Sequence, residues 1–251
     1  MKVQLVRSAT LRVEYNGHLF VVDPYLAARG TMRAFAGIAK NPLVDLPMSP
    51  EEVIQGAEMV IVSHLHSDHF DELAMELLPK DVPILCQPGD EGTIREKGFE
   101  QVTAVSNNIT WQGIQFTRTP GQHGIGELAE RMGNVSGFVW QAVGEPKVYW
   151  AGDTIWYGAV AETIRQHQPD VIFTHSSGAK FGDSDPIVMD AAQTIEVCQA
   201  APNSAVVAVH LESLDHGTVS RADLRAAAEA NGVSEMRLRI PADGETLEFR
   251  R

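Results

Sequence analysis

Residues 60–70 read VIVSHLHSDHF. The apolar run 59–62 ends at Ser63 and gives way to His64, His66, Asp68 and His69. A short, β-branched run bounded by polar residues is the pattern of a buried strand. Four potential metal ligands therefore fall within six residues, just past a strand end. His64 and His66 alternate, so both can point the same way from an extended turn. Asp68 and His69 are expected to open the next helix, where the N-terminal dipole favours a carboxylate. Imidazole and carboxylate suit zinc, iron or manganese, and the lack of thiolate argues against a structural zinc site of the cysteine type.

Further ligands stand at other strand ends. His123 follows IQFTRTP, Asp153 follows VYWAG, and His210 follows VVAV. The carboxyl ends of such strands would present all three to one sheet edge. His175 ends DVIFTH and could contact substrate or transfer a proton, with a structural role as the alternative. His216, in LESLDHG, competes with His210 as the last ligand; His210 is preferred because it directly follows a buried run. Ser63 and Thr154 are candidate supporting donors. Ser177–Lys180 spells SxxK, but no KTG or SDN accompanies it, so a serine nucleophile is set aside.

The surrounding chain predicts two similar halves. Strands are expected at 3–7, 11–15, 18–23, 59–62, 83–86 and 101–105, with helices from Asp71 to about Leu78 and over 89–97. The second half predicts strands at 109–111, 114–119, 137–143, 147–151, 170–174, 205–209, 236–240 and 246–250. Helices are expected at 158–167, 186–199 and 220–230. Each half runs strands first, then mixed strands and helices, which predicts an α/β fold, a four-layer α/β/β/α sandwich, in one domain over 1–251. Residues 24–50 have no clean period and several prolines, so they read as a long surface excursion. With Arg33 and Asn41 this stretch is expected to cover a site, or else to form a homo-oligomer contact. Trp111, Trp140 and Trp150 are expected in the core, whereas Trp156 and Tyr157 are candidates to line the pocket.

Composition narrows the function. With 33 acidic and 20 basic side chains among 251 residues the net charge is −13, which speaks against a nucleic-acid partner. Two cysteines without a CxxC indicate a reducing compartment. No apolar run approaches the ~20 residues of a membrane span, and the opening strand pattern is not a signal peptide. The expectation is a cytoplasmic protein with a small-molecule substrate.

HLHSDH matches the HxHxDH signature, and the later His, Asp and His keep the order, of the metallo-β-lactamase superfamily, which this chain resembles along essentially its whole length. VVDPYL, NPLVDLP, AGDTIWY and MDAAQTIEV make it look most like the branch that includes L-ascorbate-6-phosphate lactonase. The resemblance implies one metal held by His64, His66 and His123 and a second held by Asp68, His69 and His210, with Asp153 bridging. It implies two divalent transition-metal ions, zinc first and manganese or iron next, sharing a hydroxide that attacks a lactone or phosphorylated sugar acid. Asp68 would also handle protons. A phosphate group would need a further cation, for which Arg33, Arg131 and Lys180 are the candidates. The alternatives are a phosphodiesterase or nuclease on the same metals, or a non-catalytic metabolite-binding protein.

Overall fold

A computed structural model describes residues 1–250. The first half contributes β1 (Lys2–Arg7), β2 (Thr10–Tyr15), β3 (His18–Val22), α1 (Pro50–Ile54), β4 (Met59–Val62), α2 (Glu72–Leu77), β5 (Ile84–Cys86), α3 (Glu91–Glu96) and β6 (Val102–Ala104). The second contributes β7 (Asn108–Trp111), β8 (Ile114–Pro120), α4 (Glu127–Met132), β9 (Ser136–Gln141), β10 (Val148–Trp150), α5 (Gly158–His167), β11 (Val171–His175), α6 (Ala191–Ala200), β12 (Ala205–Val209), α7 (Arg221–Ala230), β13 (Leu238–Arg239) and β14 (Thr246–Glu248). They form two seven-stranded sheets, ordered β14-β1-β2-β3-β4-β5-β6 and β13-β12-β11-β10-β9-β8-β7. β14 crosses back to pair antiparallel with β1, so the first sheet is closed by the end of the chain.

Side-chain alternation along the strands generates the layers. Ile61 faces inward to the cluster shared with Trp140, Trp150, Phe173 and Val207, which lies between the sheets. Its neighbours Val60 and Val62 face out, onto Val53, Ala74 and Ile94 from the helices. In the second sheet Val207 points in, while Val206 and Ala208 meet Ile164, Ile195 and Leu224 outside. The expected four-layer α/β/β/α sandwich is the fold observed.

Several expected boundaries move. Asp68 and His69 do not open a helix: they lie in a turn, and α2 starts at Glu72 with Asp71 as its cap. Asp71 is the better cap because its carboxylate also accepts from the backbone N–H of Leu26 and Ala27. The helix expected from 186 begins only at Ala191, where Asp190 accepts from Gln193 N–H. Two short helices were not foreseen, α1 with its Ser49–Glu52 capping box and α4 between two glycines. Trp140 and Trp150 are fully buried, whereas Trp111 is only partly covered. Trp156 and Tyr157 pack on the outer helical layer.

The 24–50 excursion is pinned from beneath. The fully buried Arg7 guanidinium donates to the carbonyls of Tyr25, Ala27 and Val44 at 2.9–3.1 Å. No helix among the described residues is long and apolar enough to cross a membrane. Trp140→Ala should cost about 3–5 kcal/mol of stability through the cavity left between the sheets, read as a lowered urea midpoint in a metal-loaded sample.

Candidate metal centre

The parallel strands of both sheets run toward a common edge, and the candidate ligands leave from their carboxyl ends. β4 delivers His64, β8 leads to His123, β10 to Asp153, β11 ends in His175, and β12 leads to His210. The approach to Asp153 requires glycine. Gly152 has φ +71°, and a Cβ there would sit 2.7 Å from the Ser136 carbonyl oxygen. His210 itself adopts φ 63°, with its N–H bonded to Ser8 O at 2.9 Å, which ties the second sheet to the β1–β2 corner.

Asp153 is the hub. One carboxylate oxygen lies 3.2 Å from His69 Nε2, 3.2 Å from His123 Nε2 and 3.8 Å from His64 Nε2. The other accepts from His175 Nδ1 and lies 3.8 Å from His210 Nε2. Two tetrads result, His64–His66–His123–Asp153 and His69–Asp153–His175–His210, each with donor atoms within 4.8 Å of one another. Asp68 adjoins the second, 3.4 Å from His210 Nε2 and 3.8 Å from His69 Nε2. All seven ligands expected from the sequence thus converge.

Hydrogen bonds from behind fix the rings. His123 Nδ1 donates to the Ile187 carbonyl at 2.7 Å, and His69 Nδ1 donates to Asp23 at 2.9 Å. Ser63 Oγ gives its only proton to Asp23 at 2.7 Å, so His64 Nδ1 must donate to Ser63 Oγ at 3.0 Å. Each ring therefore turns Nε2 toward the centre. The Nε2 atoms of His64, His69 and His210 are buried with no hydrogen-bond partner. Buried polar atoms are normally paired, so this convergence of unpaired lone pairs fits divalent ions.

The electrostatics agree. Burial, reinforced by His69 and His66, holds His64 well below the usual imidazole range, in its neutral, ligating form. Burial would lower His69 too, but Asp153, Asp68 and Asp23 outweigh it and raise the group well above the usual range. Burial would raise Asp153, yet His69, His210 and His123 hold it well below the usual carboxylate range. Acidic groups gathered around one point call for positive charge there.

Of the two roles weighed for His175, substrate contact or structural support, its surroundings favour support of Asp153. Its ring is fully buried behind Asp153, does not line the cavity over the centre, and holds the Asp153 carboxylate. Asp23 was missed altogether. It carries Ser63 and His69 from a left-handed backbone at φ 46°, directly after β3. A lone acid in VVDPYL reads as a turn, and only the fold brings it behind His69. Ser63 has the supporting role expected of it. Thr154 acts one step further back, receiving Gln122 N–H beside His123.

A cavity of about 440 Å³ opens over the centre, lined by His66, Asp68 and Asp153 on its floor and by Arg33, Phe35, Arg131, Phe181 and His216. Arg33 and Arg131 are therefore at the site, whereas Lys180 is not among its lining residues. Asn41 is buried and does not touch the cavity: it donates to the Arg33 carbonyl and to Asp215. Asp215 in turn accepts the N–H groups of Phe35, Ala36, Ile38 and Ala39. Burial would raise its carboxyl, but Asn41 and these N–H groups hold it at about 2. His216, the rival to His210, stands in the cavity wall outside both tetrads.

A two-sheet sandwich with a His–Asp centre at the sheet edge defines a class of metal-dependent hydrolase. Residues 18–211 match the family profile described as a beta-lactamase superfamily domain, and the chain belongs to that family. Over 99% of its length it is 36% identical to UPF0173 protein YddR of Bacillus subtilis (strain 168), covering 100% of that protein. It is also similar, at 23% identity over 83% of this chain and 90% of the relative, to a UPF0173 metal-dependent hydrolase of Methanocaldococcus jannaschii. Among solved structures, the isothiocyanate hydrolase from Delia radicum gut bacteria superposes with a TM-score of 0.95 at 32% identity, with 100% of both chains covered. A possible metal-dependent hydrolase from Veillonella parvula DSM 2008 gives 0.95 at 30% identity over 98% of each chain. The protein is a metal-dependent hydrolase of this superfamily.

Two outcomes follow from the supporting residues. Asp23→Ala should weaken metal binding by about 10–100-fold, read by competition with a chelating indicator, while the fold is kept by circular dichroism. Asp215→Ala should free the 35–39 turn, so trypsin should cut after Arg33 or Lys40 at least tenfold faster, on the order of one lost anchoring network. The depressed carboxyl of Asp215 stabilises the fold above the ordinary range near pH 4 and ceases to do so as pH falls toward 2.

Proposed function

We propose that the enzyme hydrolyses a small molecule at an electrophilic carbon of the isothiocyanate type, using two divalent ions. The observation that carries the dinuclear reading is the membership of Asp153 in both tetrads. His64, His66 and His123 would hold one ion, and His69, His210 and Asp68 the other, with Asp153 between them and His175 steadying Asp153. When bound, such a pair supplies Lewis acidity and water activated near neutral pH. The imidazole-rich set without thiolate suits zinc, with manganese or iron as the ions elemental analysis would distinguish.

The protein's own groups do the rest. Asp68 reaches the cavity, and the oxygen not engaged with the cluster can take and return a proton. Phe35 and Phe181 exclude water and accept an apolar substituent. For an isothiocyanate, R–N=C=S with one water yields R–NH2 and carbonyl sulfide, so both protons of the water must reach nitrogen. Support for this class comes from the isothiocyanate hydrolase at 32% identity over the full chain and from the small, partly aromatic cavity.

A second reading, a lactone or other small ester bearing an anionic group, is favoured by Arg33 and Arg131, which face the same cavity without an ion-pair partner among the described residues. Benzyl isothiocyanate, 4-nitrophenyl acetate and a sugar lactone with and without phosphate separate the readings. Activity confined to the phosphorylated lactone, with KM raised by Arg33→Gln or Arg131→Gln for that form alone, would replace the first reading. Asp153→Ala should remove most of both metal equivalents and lower turnover on the accepted probe by about a hundredfold or more. Two equivalents retained at wild-type affinity would overturn the shared-ligand assignment.

A further inference from the structure

One titratable side chain at the site has no task in the metal centre. His216 is 7% exposed, yet it lines the cavity beside Asp68, His66 and Asp153. Its Nδ1 is buried with no hydrogen-bond partner. It belongs to neither tetrad, although the tetrads gather the histidines at 64, 66, 69, 123, 175 and 210. Nδ1 is closed to solvent, so a bound molecule would meet the other ring nitrogen, Nε2, which has no hydrogen-bond partner among the described residues and is not closed off in this way.

The ring is also held still. Phe35 meets it edge-on, with ring centroids 5.3 Å apart and planes at 90°. Phe181 stacks on it at 5.5 Å and 17°. The main chain is fixed on both sides: Lys180 N–H donates to the His216 carbonyl at 3.0 Å, and the preceding Asp215 is bound by Asn41 and the 35–39 turn. Phe35, Phe181 and His216 come from three separate segments and make one wall, with the imidazole as its polar element. A flat apolar group would rest on the phenyl rings, and a heteroatom next to it would meet the imidazole.

We propose that His216 is a substrate-binding residue that hydrogen-bonds the heteroatom flanking the attacked carbon and so sets the substrate's orientation over the metal centre. The inference rests on the reading of this cavity as the site of small-molecule hydrolysis, and it adds the residue that recognises the reacting group. Nitrogen of an isothiocyanate and the ester oxygen of a lactone are both within this chemistry. An imidazole can meet either, because its neutral form offers one donor and one acceptor.

The test uses metal-loaded wild type, His216→Phe and His216→Gln. His216→Phe keeps the aromatic wall and removes the hydrogen bond; His216→Gln restores a polar group. His216→Phe should retain two metal equivalents and its melting temperature, yet lose at least tenfold in kcat/KM on whichever of benzyl isothiocyanate or 4-nitrophenyl acetate the wild type accepts. His216→Gln should recover at least a third of that loss on a logarithmic scale. Calorimetry with thiocyanate ion, a fragment of the first probe, should show binding at least fivefold weaker in His216→Phe. Wild-type kcat/KM or an unchanged thiocyanate affinity in His216→Phe would overturn the proposal. So would loss of one metal equivalent, which would make His216 a ligand. Wild-type activity on the ester alone would sink the isothiocyanate reading and leave His216 judged on the ester.

Discussion

A carboxylate buried among five imidazoles is the interaction around which the molecule is arranged. Asp153 is almost inaccessible and is approached by His64, His69, His123, His175 and His210. An isolated carboxylate in such surroundings would be strongly disfavoured. It persists because strands of both sheets deliver compensating groups to the same few ångströms. That requirement explains a glycine before it, parallel strands ending at one edge, and a core whose two faces meet below that edge.

Around this hub the local backbone accepts conformations that side chains rarely favour. Asp23 at φ 46° and His210 at φ 63° both lie in the left-handed region. Each departure is held by tertiary bonds: Thr10 Oγ1 donates to the Asp23 carbonyl at 2.7 Å, and Ser8 O receives the His210 N–H at 2.9 Å. Such strain survives only where the surroundings over-determine it. The β1–β2 corner is therefore part of the site, although it contributes no ligand.

The metal cluster was legible because its members are concentrated. His64 to His69 pack four donors into one turn, and His123, Asp153 and His210 each follow an apolar run that ends in the same direction. The alternation of Val60, Ile61 and Val62 foretold the layers for the same reason: local periodicity was enough. What escaped depended on distance along the chain. Nothing near Asp23 says that His69 will lie above it, and nothing near Asp215 says that the 35–39 turn will wrap its carboxylate. His175, ending a strand, read equally as a substrate group or as a structural one, and its burial by neighbours in space could not be read from the sequence. The segments that suggested a lactonase branch turn out to do structural work. Asp23 orients His69, Gly152 admits Asp153, Asn41 holds the cover, and Asp190 caps α6. Such positions shape a scaffold and carry little information about a substrate.

The return of β14 to β1 bears on how the chain folds as it is made. Lys2, Val3 and Gln4 pair with Glu248, Leu247 and Thr246. Until those residues leave the ribosome, the outer side of β1 is an unpaired edge with open N–H and carbonyl groups, the kind of edge that recruits foreign strands. The paired strands lie about 240 residues apart in the chain, so that edge stays uncovered while the stretch between them is made. The emerging first half is thus a sheet with an exposed flank and an inner face still without the second sheet, the kind of species in which unpaired edges are open to mispairing.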